Sequence, residues 1–293
     1  AFCYSCLGIL GKKALAEDVP LLSILSTRFT LGALIYWGWV LLRADLRRSV
    51  KGLAAPRARA LFAWGLFGFA GQSVIFFAAL QRISASLSEV LLYTCPAFLA
   101  LILWVTTGRR PTGTQGGAIV LALSGTWLCA GPIAGATDSL GVALAVLAGF
   151  WYALFLLRLH RITPGLPSAL SGALIISGAA VAFDLATLLL GGYHVPATPA
   201  AWGAILGMVL TATVFGFVLF VVGLKRVGAQ TASILSTFEP LGTLMLARLL
   251  LGERLTPPQW AGAALIIGAS FVLAATEPEG MESAAGAGAA AHD

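Results

Sequence analysis

Long apolar stretches alternate with short polar segments along the whole chain. Ten of these stretches approach the length of about 20 apolar residues that a transmembrane helix needs. They are residues 1–16, 21–43, 60–80, 84–107, 113–131, 139–157, 167–190, 199–223, 228–250 and 258–275. The pattern predicts an all-α integral membrane protein with ten transmembrane helices. The first stretch is short and begins at Ala1 without an initiator methionine, so we expect a few N-terminal residues to be missing.

Two passages, residues 79–115 and 223–259, are similar at a constant offset of 144 residues. Internal repeats in an apolar chain are typical of transporters, which hold their substrate between two related units at the middle of the bilayer. The repeat predicts five-helix units at 1–131 and 139–275, and a disordered cytoplasmic tail at 276–293. Because five is odd, the units cross the membrane in opposite senses, and the repeat is inverted. The identical pairs are Leu80/Leu224, Arg82/Arg226, Ala85/Ala229, Leu91/Leu235, Pro96/Pro240, Gly108/Gly252, Arg110/Arg254, Thr112/Thr256 and Gln115/Gln259.

Composition agrees with a membrane protein. The chain is 59% hydrophobic and 10% charged, whereas a soluble domain carries about 25% charged residues. The four cysteines lie in apolar stretches and show no metal-ligand spacing, so we expect neither a metal nor a cofactor. Motifs of the common hydrolases and nucleotide-binding enzymes are absent, which argues against an enzyme.

Positive charge predicts the orientation, because Lys and Arg in short loops are retained on the cytoplasmic side. The loops on one side hold twelve of these residues, and the opposite side holds only Arg82 and Arg254. Both termini are therefore expected in the cytoplasm. The net charge of +6 is explained by these loops, so we expect no nucleic-acid partner. The twelve are Arg43, Arg47, Arg48, Lys51, Arg57, Arg59, Arg109, Arg110, Arg158, Arg161, Lys225 and Arg226.

Three passages carry a family resemblance: KALAEDVPLLSILSTRF from Lys13 to Phe29, the segment from Ala85 to Pro96, and LGERLTPPQWAGAALIIGA from Leu251. With them the chain resembles the drug/metabolite transporter superfamily, in particular its EamA-type ten-helix exporters, with aromatic amino-acid exporters as one subgroup option. The resemblance implies a secondary transporter of the bacterial inner membrane that exports small metabolites, often amino acids, by alternating access. The first repeat departs from the pattern, since Arg109 stands where the second has Glu253.

Two prolines and one acid mark the middle of the membrane. Pro96 and Pro240 occupy matching positions in the fourth and ninth stretches, where each frees the carbonyl four residues earlier. Such kinks either aid packing or flank a substrate cavity. Glu239 lies near the bilayer centre on one helix face with Ser236 and Thr243. It contacts substrate or couples protons, or else it is a protonated structural residue.

Three further charged residues, Lys13, Arg28 and Glu89, are predicted in the outer third of their helices. They could form an outer gate that closes when they pair, or each could extend to the membrane interface by itself. Asp184 is a weaker candidate, because the sequence suggests no partner for it.

Aromatic residues collect on stretches that could face the centre, although most aromatics in membrane helices face lipid. As a set with one amide they suit an apolar small-molecule pocket. No Arg or Lys is predicted at the midplane, which argues against phosphorylated substrates. The candidates are Tyr4, Gln72, Phe76, Tyr93, Trp151, Tyr152, Phe155, Phe215 and Phe238.

The function predicted from these features is export of small amphipathic metabolites, foremost amino acids, including aromatic ones. Efflux of drugs or lipophilic cations is the alternative, because an apolar pocket with one buried acid also suits a cation. A channel or a membrane scaffold is the alternative of another class. The expected partners are a small-molecule substrate and the lipid bilayer, and the protein is expected to function as a monomer.

Overall fold

The structure is a computed structural model that describes residues 2–108, 112–130, 138–219 and 238–276. All regular secondary structure in these residues is helical. The predicted tail beyond Thr276 and much of the predicted ninth stretch lie outside the described residues. The helices are α1 (Phe2–Ala16), α2 (Leu21–Leu42), α3 (Ala44–Lys51), α4 (Ala55–Ala63), α5 (Ala70–Arg82), α6 (Ala85–Leu92), α7 (Cys95–Thr107), α8 (Gly113–Ala130), α9 (Ser139–Ile162), α10 (Ser168–Leu190), α11 (Pro199–Met208), α12 (Phe238–Leu251) and α13 (Pro257–Ala275).

Within the described ranges, seven helical stretches are long and apolar enough to cross a membrane. The protein is therefore an integral membrane protein. Of the other predicted spans, α1 has 15 residues, α8 has 18, and α12 has 14. The seven are Leu21–Leu42, Ala55–Arg82, Ala85–Thr106, Ser139–Leu159, Ser168–Leu190, Pro199–Leu219 and Pro257–Ala275.

Two of these stretches contain a π-helical segment, at Trp64–Phe69 between α4 and α5 and at Val209–Gly216 after α11. The two segments begin 145 residues apart, close to the offset of the sequence repeat. The first contains two glycines, and a β-carbon at Gly65 would overlap the carbonyl of Ile175 in α10. From α10, a β-carbon at Gly178 would overlap the carbonyl of Phe62. Glycine at both places thus lets the two backbones touch.

Near Pro96 the fourth stretch is divided rather than bent. Helix α6 ends at Leu92, a turn follows at Tyr93 and Thr94, and Pro96 lies in the first turn of α7. Proline is readily accommodated there because the first-turn N–H groups have no helical partner. The carbonyl of Leu92 faces Gly149 of α9, where a β-carbon would lie 3.0 Å from its oxygen. Pro240 is the third described residue of α12.

Polar contacts between loops join the helices at both ends of the bundle. At one end, which we call the Arg82 end, Arg82 pairs with Asp138 at 2.9 Å. At this end the carboxylate of Glu253 accepts hydrogen bonds from the backbone N–H groups of Ala85 and Ser86 at 2.8 and 3.0 Å, which caps α6. At the opposite end, Arg57 donates to the carbonyl of Ile162 at 2.9 Å.

Asp138 also caps α9, accepting bonds from the N–H groups of Leu140 and Gly141. The bond from Gly141 and the guanidinium of Arg82 hold the pKa of the Asp138 carboxyl below its ordinary value.

Candidate functional site

The central polar group of the protein is built around Glu239, in the first turn of α12. Its carboxylate accepts a hydrogen bond from the hydroxyl of Tyr93 at 2.9 Å. Its carboxyl group is also hydrogen-bonded to that of Glu89 in α6, which is 2% exposed. A bond between two carboxyl groups needs a donor, so this contact is favourable when one of the two groups carries a proton. We call Glu89 and Glu239 the acidic pair.

The backbone of Glu239 is anchored to α1. Ser5 donates its hydroxyl to the Glu239 carbonyl at 2.8 Å, and the fully buried Thr243 donates to the same carbonyl at 3.3 Å. Thr243 also donates to the carbonyl of Ser5. The predicted polar face of this helix thus contacts α1. Ser236, its third member, lies outside the described residues.

The structure does not bring the three candidate gate residues together. Lys13 is exposed at the last turn of α1, and Glu89 belongs to the acidic pair. Arg28 is 3% exposed and donates its Nε–H to the hydroxyl of Thr213, at 2.9 Å. In the residues described, the only ion pairs are Arg43–Asp45 and Arg82–Asp138. In this conformation the members of the predicted gate face different neighbours, so the gate stays a prediction.

The sequence predicted no Arg or Lys at the midplane, and the structure shows that Arg28 is buried among the helices. Thr213 lies fourteen residues past Pro199, about 21 Å along that span at 1.5 Å per residue. The Arg28 guanidinium that bonds Thr213 is therefore at membrane depth. Tyr36 donates to the carbonyl of Thr213 at 3.1 Å and so helps to hold this π-helical segment. Sequence reasoning missed Thr213 and Tyr36, because only packing pairs them with Arg28.

Tyr4 links the two charged groups. Its hydroxyl lies within electrostatic range of Glu239, Tyr152, Arg28 and Tyr36. Its ring packs on Gly216, where a β-carbon would lie 3.2 Å from the ring. The cluster therefore runs from the acidic pair through Tyr4 to Arg28.

Several of the other aromatic candidates pack in the hydrophobic core. Phe76 is 1% exposed and packs edge-to-face on Phe77, while Phe155 is 4% exposed and stacks on Tyr152 and Phe69. Gln72 is buried as well. The structure therefore places these residues among the helices and not around one common pocket.

The remaining aromatic candidates lie outside this core packing. Phe215 and Phe238 are 55% and 56% exposed on the protein surface, as expected for lipid-facing rings. The Trp151 indole N–H donates to the carbonyl of Gly68, in the first π-helical segment, at 3.0 Å. Trp151 thereby satisfies a backbone group that the wider helix turn makes available.

Asp184 has partners that the sequence did not suggest. Its carboxylate accepts hydrogen bonds from the hydroxyls of Ser26 and Thr30 on α2, the latter at 3.0 Å to Oδ2. On the same face of α2, Thr27 bonds the Tyr193 hydroxyl. The spacing of these hydroxyls, at i, i+1 and i+4, is a helical-face pattern that could have indicated a polar neighbour.

An open groove of about 300 Å³ lies between α7 and α9, apart from the polar cluster. Its wall is apolar and contains none of the cluster residues. It is lined by Phe98, Leu101, Ile102, Val105, Thr106 and Phe150.

Membrane-spanning helices packed around a buried polar cluster are the architecture of a membrane transporter. The chain matches the EamA-like transporter family over residues 1–131 and 137–275, and it belongs to that family. This membership confirms the resemblance to drug/metabolite transporters, without assigning the aromatic amino-acid exporter subgroup.

Individual relatives agree with the family match. The chain is 30% identical over 205 residues to the uncharacterized transporter YwfM of Bacillus subtilis, covering 69% of this chain and 68% of that protein. It is 27% identical over 267 residues to the uncharacterized inner membrane transporter YicL of Salmonella typhimurium, covering 86% of each. It is 26% identical over 206 residues to the threonine/homoserine exporter RhtA of Escherichia coli, covering 69% and 66%.

The fold is also similar to that of a solved crystal structure. The TM-score is 0.65 at 19% sequence identity, and the match covers 94% of this chain and 93% of the other.

Proposed function

We propose that this protein exports small amphipathic metabolites, foremost amino acids and including aromatic ones, as a secondary transporter that works by alternating access. The observation that carries the proposal is the acidic pair, which joins α6 to α12 beside the helix break at Tyr93. A buried carboxyl group that keeps a shared proton can bind a substrate ammonium group or exchange that proton with it. The similarity to a threonine/homoserine exporter supports amino acids as the substrate class.

The acidic pair suits this role because of its surroundings. Tyr93 bonds the acidic pair directly, and Tyr4 and Tyr152 lie within electrostatic range of Glu239. Their rings are apolar on the faces and polar at one tip. An ammonium group with an apolar side chain finds complementary contacts in such a setting. We infer that the aromatic side chains next to the acidic pair contribute to substrate selection.

We further propose ten membrane helices in two inverted five-helix units, residues 1–131 and 139–275. Helix α5 packs on α9 in the way that α11 packs on α1, and α2 packs on its expected counterpart α10. Helices α8 and α13 pack on each other at the edge of the bundle. The two π-helical segments occupy matching positions in the third and eighth spans. These pairings are those expected of two units related by a two-fold axis in the membrane plane.

We also propose that the protein acts as a monomer in the bacterial inner membrane, with both termini in the cytoplasm. The excess of Lys and Arg at the end opposite Arg82 supports this orientation.

Efflux of lipophilic cations is the second candidate function. The same acidic pair, surrounded by tyrosine rings, could bind a delocalised cation through charge and ring-face contacts. It differs from the first candidate in needing no group that recognises a carboxylate.

Counterflow into proteoliposomes of the purified protein tests both candidates. Liposomes preloaded with unlabelled substrate would be given a panel of labelled amino acids, small and aromatic, and labelled tetraphenylphosphonium. We expect saturable uptake of amino acids that is stimulated from the opposite side. Uptake of the phosphonium alone would support cation efflux. Uptake without trans-stimulation would indicate a channel. If none of these solutes entered the liposomes, both transport proposals would be refuted.

A further inference from the structure

Arg28 is a buried residue whose guanidinium group makes few hydrogen bonds to the described residues. It is 3% exposed, and its one hydrogen bond to the described residues is donated by Nε to Thr213. Its terminal Nη1 and Nη2 groups donate to none of these residues, and no described carboxylate lies within ion-pairing distance. Within the described part of the chain, the one fully buried polar side-chain atom without a partner is Ser171 Oγ, so the Nη groups of Arg28 are not sealed off and a ligand that accepts from them can reach them.

The guanidinium is held in a defined place. Thr213 fixes its Nε edge, and the rings of Phe29 and Phe77 lie 4.8 and 5.9 Å from its central carbon. Tyr36 in turn holds the Thr213 carbonyl. These contacts leave the edge formed by Nη1 and Nη2, which is the two-pronged donor that binds a carboxylate with two parallel hydrogen bonds.

Tyr4 connects Arg28 to the acidic pair. Its ring contacts Gly216, in the π-helical segment that also holds Thr213, the partner of Arg28, and its neighbour Ser5 bonds the Glu239 carbonyl. A basic and an acidic group therefore both lie near one tyrosine inside the membrane. We propose that Arg28 binds the carboxylate of a zwitterionic substrate while the acidic pair binds its ammonium group. This inference rests on the proposed function and extends it, because it names the residue that separates amino acids from plain amines.

The test compares substrates with and without a carboxylate. Labelled threonine and phenylalanine, and their amides, which keep the ammonium group but lack the carboxylate, would be taken up by proteoliposomes of wild-type, R28K and R28Q protein. For R28Q we expect the KM of the amino acids to rise about tenfold or more while that of the amides stays within twofold, because only the carboxylate contact is lost. R28K should be intermediate, since lysine keeps the charge but not the fork.

Arg158→Gln is the matched control, because it removes another guanidinium that lies over an aromatic ring, 6.0 Å from Trp64, and is exposed. It should leave both uptake series unchanged. Thermal melting in detergent verifies folding. If R28Q does not fold, Thr213→Val, which removes the Nε partner of Arg28, should still weaken amino-acid uptake more than amide uptake.

The outcomes separate the two proposals. Suppose that folded R28Q takes up amino acids like the wild type and with the same preference over amides. This result would overturn the role of Arg28 and leave the proposed function standing. If R28Q does not fold, the same result in Thr213→Val would count in its place. A wild-type protein that carries the amides or tetraphenylphosphonium but no amino acid would overturn both.

Discussion

Among the single residues, the acidic pair is the most direct to test, because two carboxyl groups in contact can share a proton. Glu239→Gln keeps groups that can accept from Tyr93 and bond Glu89. We therefore expect the variant to fold with a melting temperature close to that of the wild type. Because an amide cannot exchange a proton at this position, the KM for amino acids or its pH dependence should change.

Uptake kinetics measured from pH 5 to 8 in proteoliposomes provide the check, with Asp18→Asn at an exposed position as the control. The groups that face Glu239 and could shift the profile themselves are Glu89, Tyr93, Tyr4 and Tyr152. A wild-type profile in Glu239→Gln would make Glu239 a structural residue.

For Trp151, the contacts in the structure lead to a different prediction from the one that the sequence suggests. From the sequence, shortening it would reduce transport of bulky amino acids more than that of small ones. Its hydrogen bond to Gly68 and its packing on Gly71 instead predict an equal loss for all substrates. Trp151→Phe should cost about 1 kcal/mol through the lost bond, and Trp151→Ala about 3 to 5 kcal/mol. Thermal melting gives the stability, and relative uptake of phenylalanine and alanine detects any selective effect.

At the scale of elements, the contact between α10 and the first π-helical segment is the closest backbone approach. Gly178→Ala places a methyl group against the carbonyl of Phe62 and the N–H of Leu66, neither of which is a flexible side chain. We expect a loss of about 3 kcal/mol or more, at the upper end for overpacking. Gly203→Ala is the control, because no atom lies within 4 Å of its added carbon. If Gly178→Ala and Gly203→Ala have the same melting temperature, the two backbones are not in tight contact.

At the scale of the whole molecule, charge and loop contacts predict which end faces which compartment. In a variant lacking Cys3, Cys6, Cys95 and Cys129, single cysteines at Ala54 and Ser139 would mark opposite, exposed ends. A membrane-impermeant maleimide should label Ser139→Cys in intact cells and Ala54→Cys only after permeabilisation. The reverse result would invert the proposed orientation, and labelling of both from outside would rule out an odd number of spans between them.

The sequence by itself determined the class of protein. Apolar length and low charge depend only on local composition, because lipid must solvate every span. The helical character and the transporter family followed from this pattern and from motifs such as the one beginning at Leu251. Pro96, predicted as a kink, lies where α6 gives way to α7.

Tertiary structure alone decided which polar groups meet. Glu89 and Glu239 are 150 positions apart, and Arg28 meets Thr213 across 185 positions. Such pairings depend on the rotation and depth of each helix in the bundle, which hydrophobic periodicity leaves open when a helix is apolar on all sides. For the same reason the sequence could not show that Arg28, predicted in the outer third of its helix, is buried among its neighbours. Similarly, the hydroxyl partners of Asp184 depend on the packing of α10 against α2.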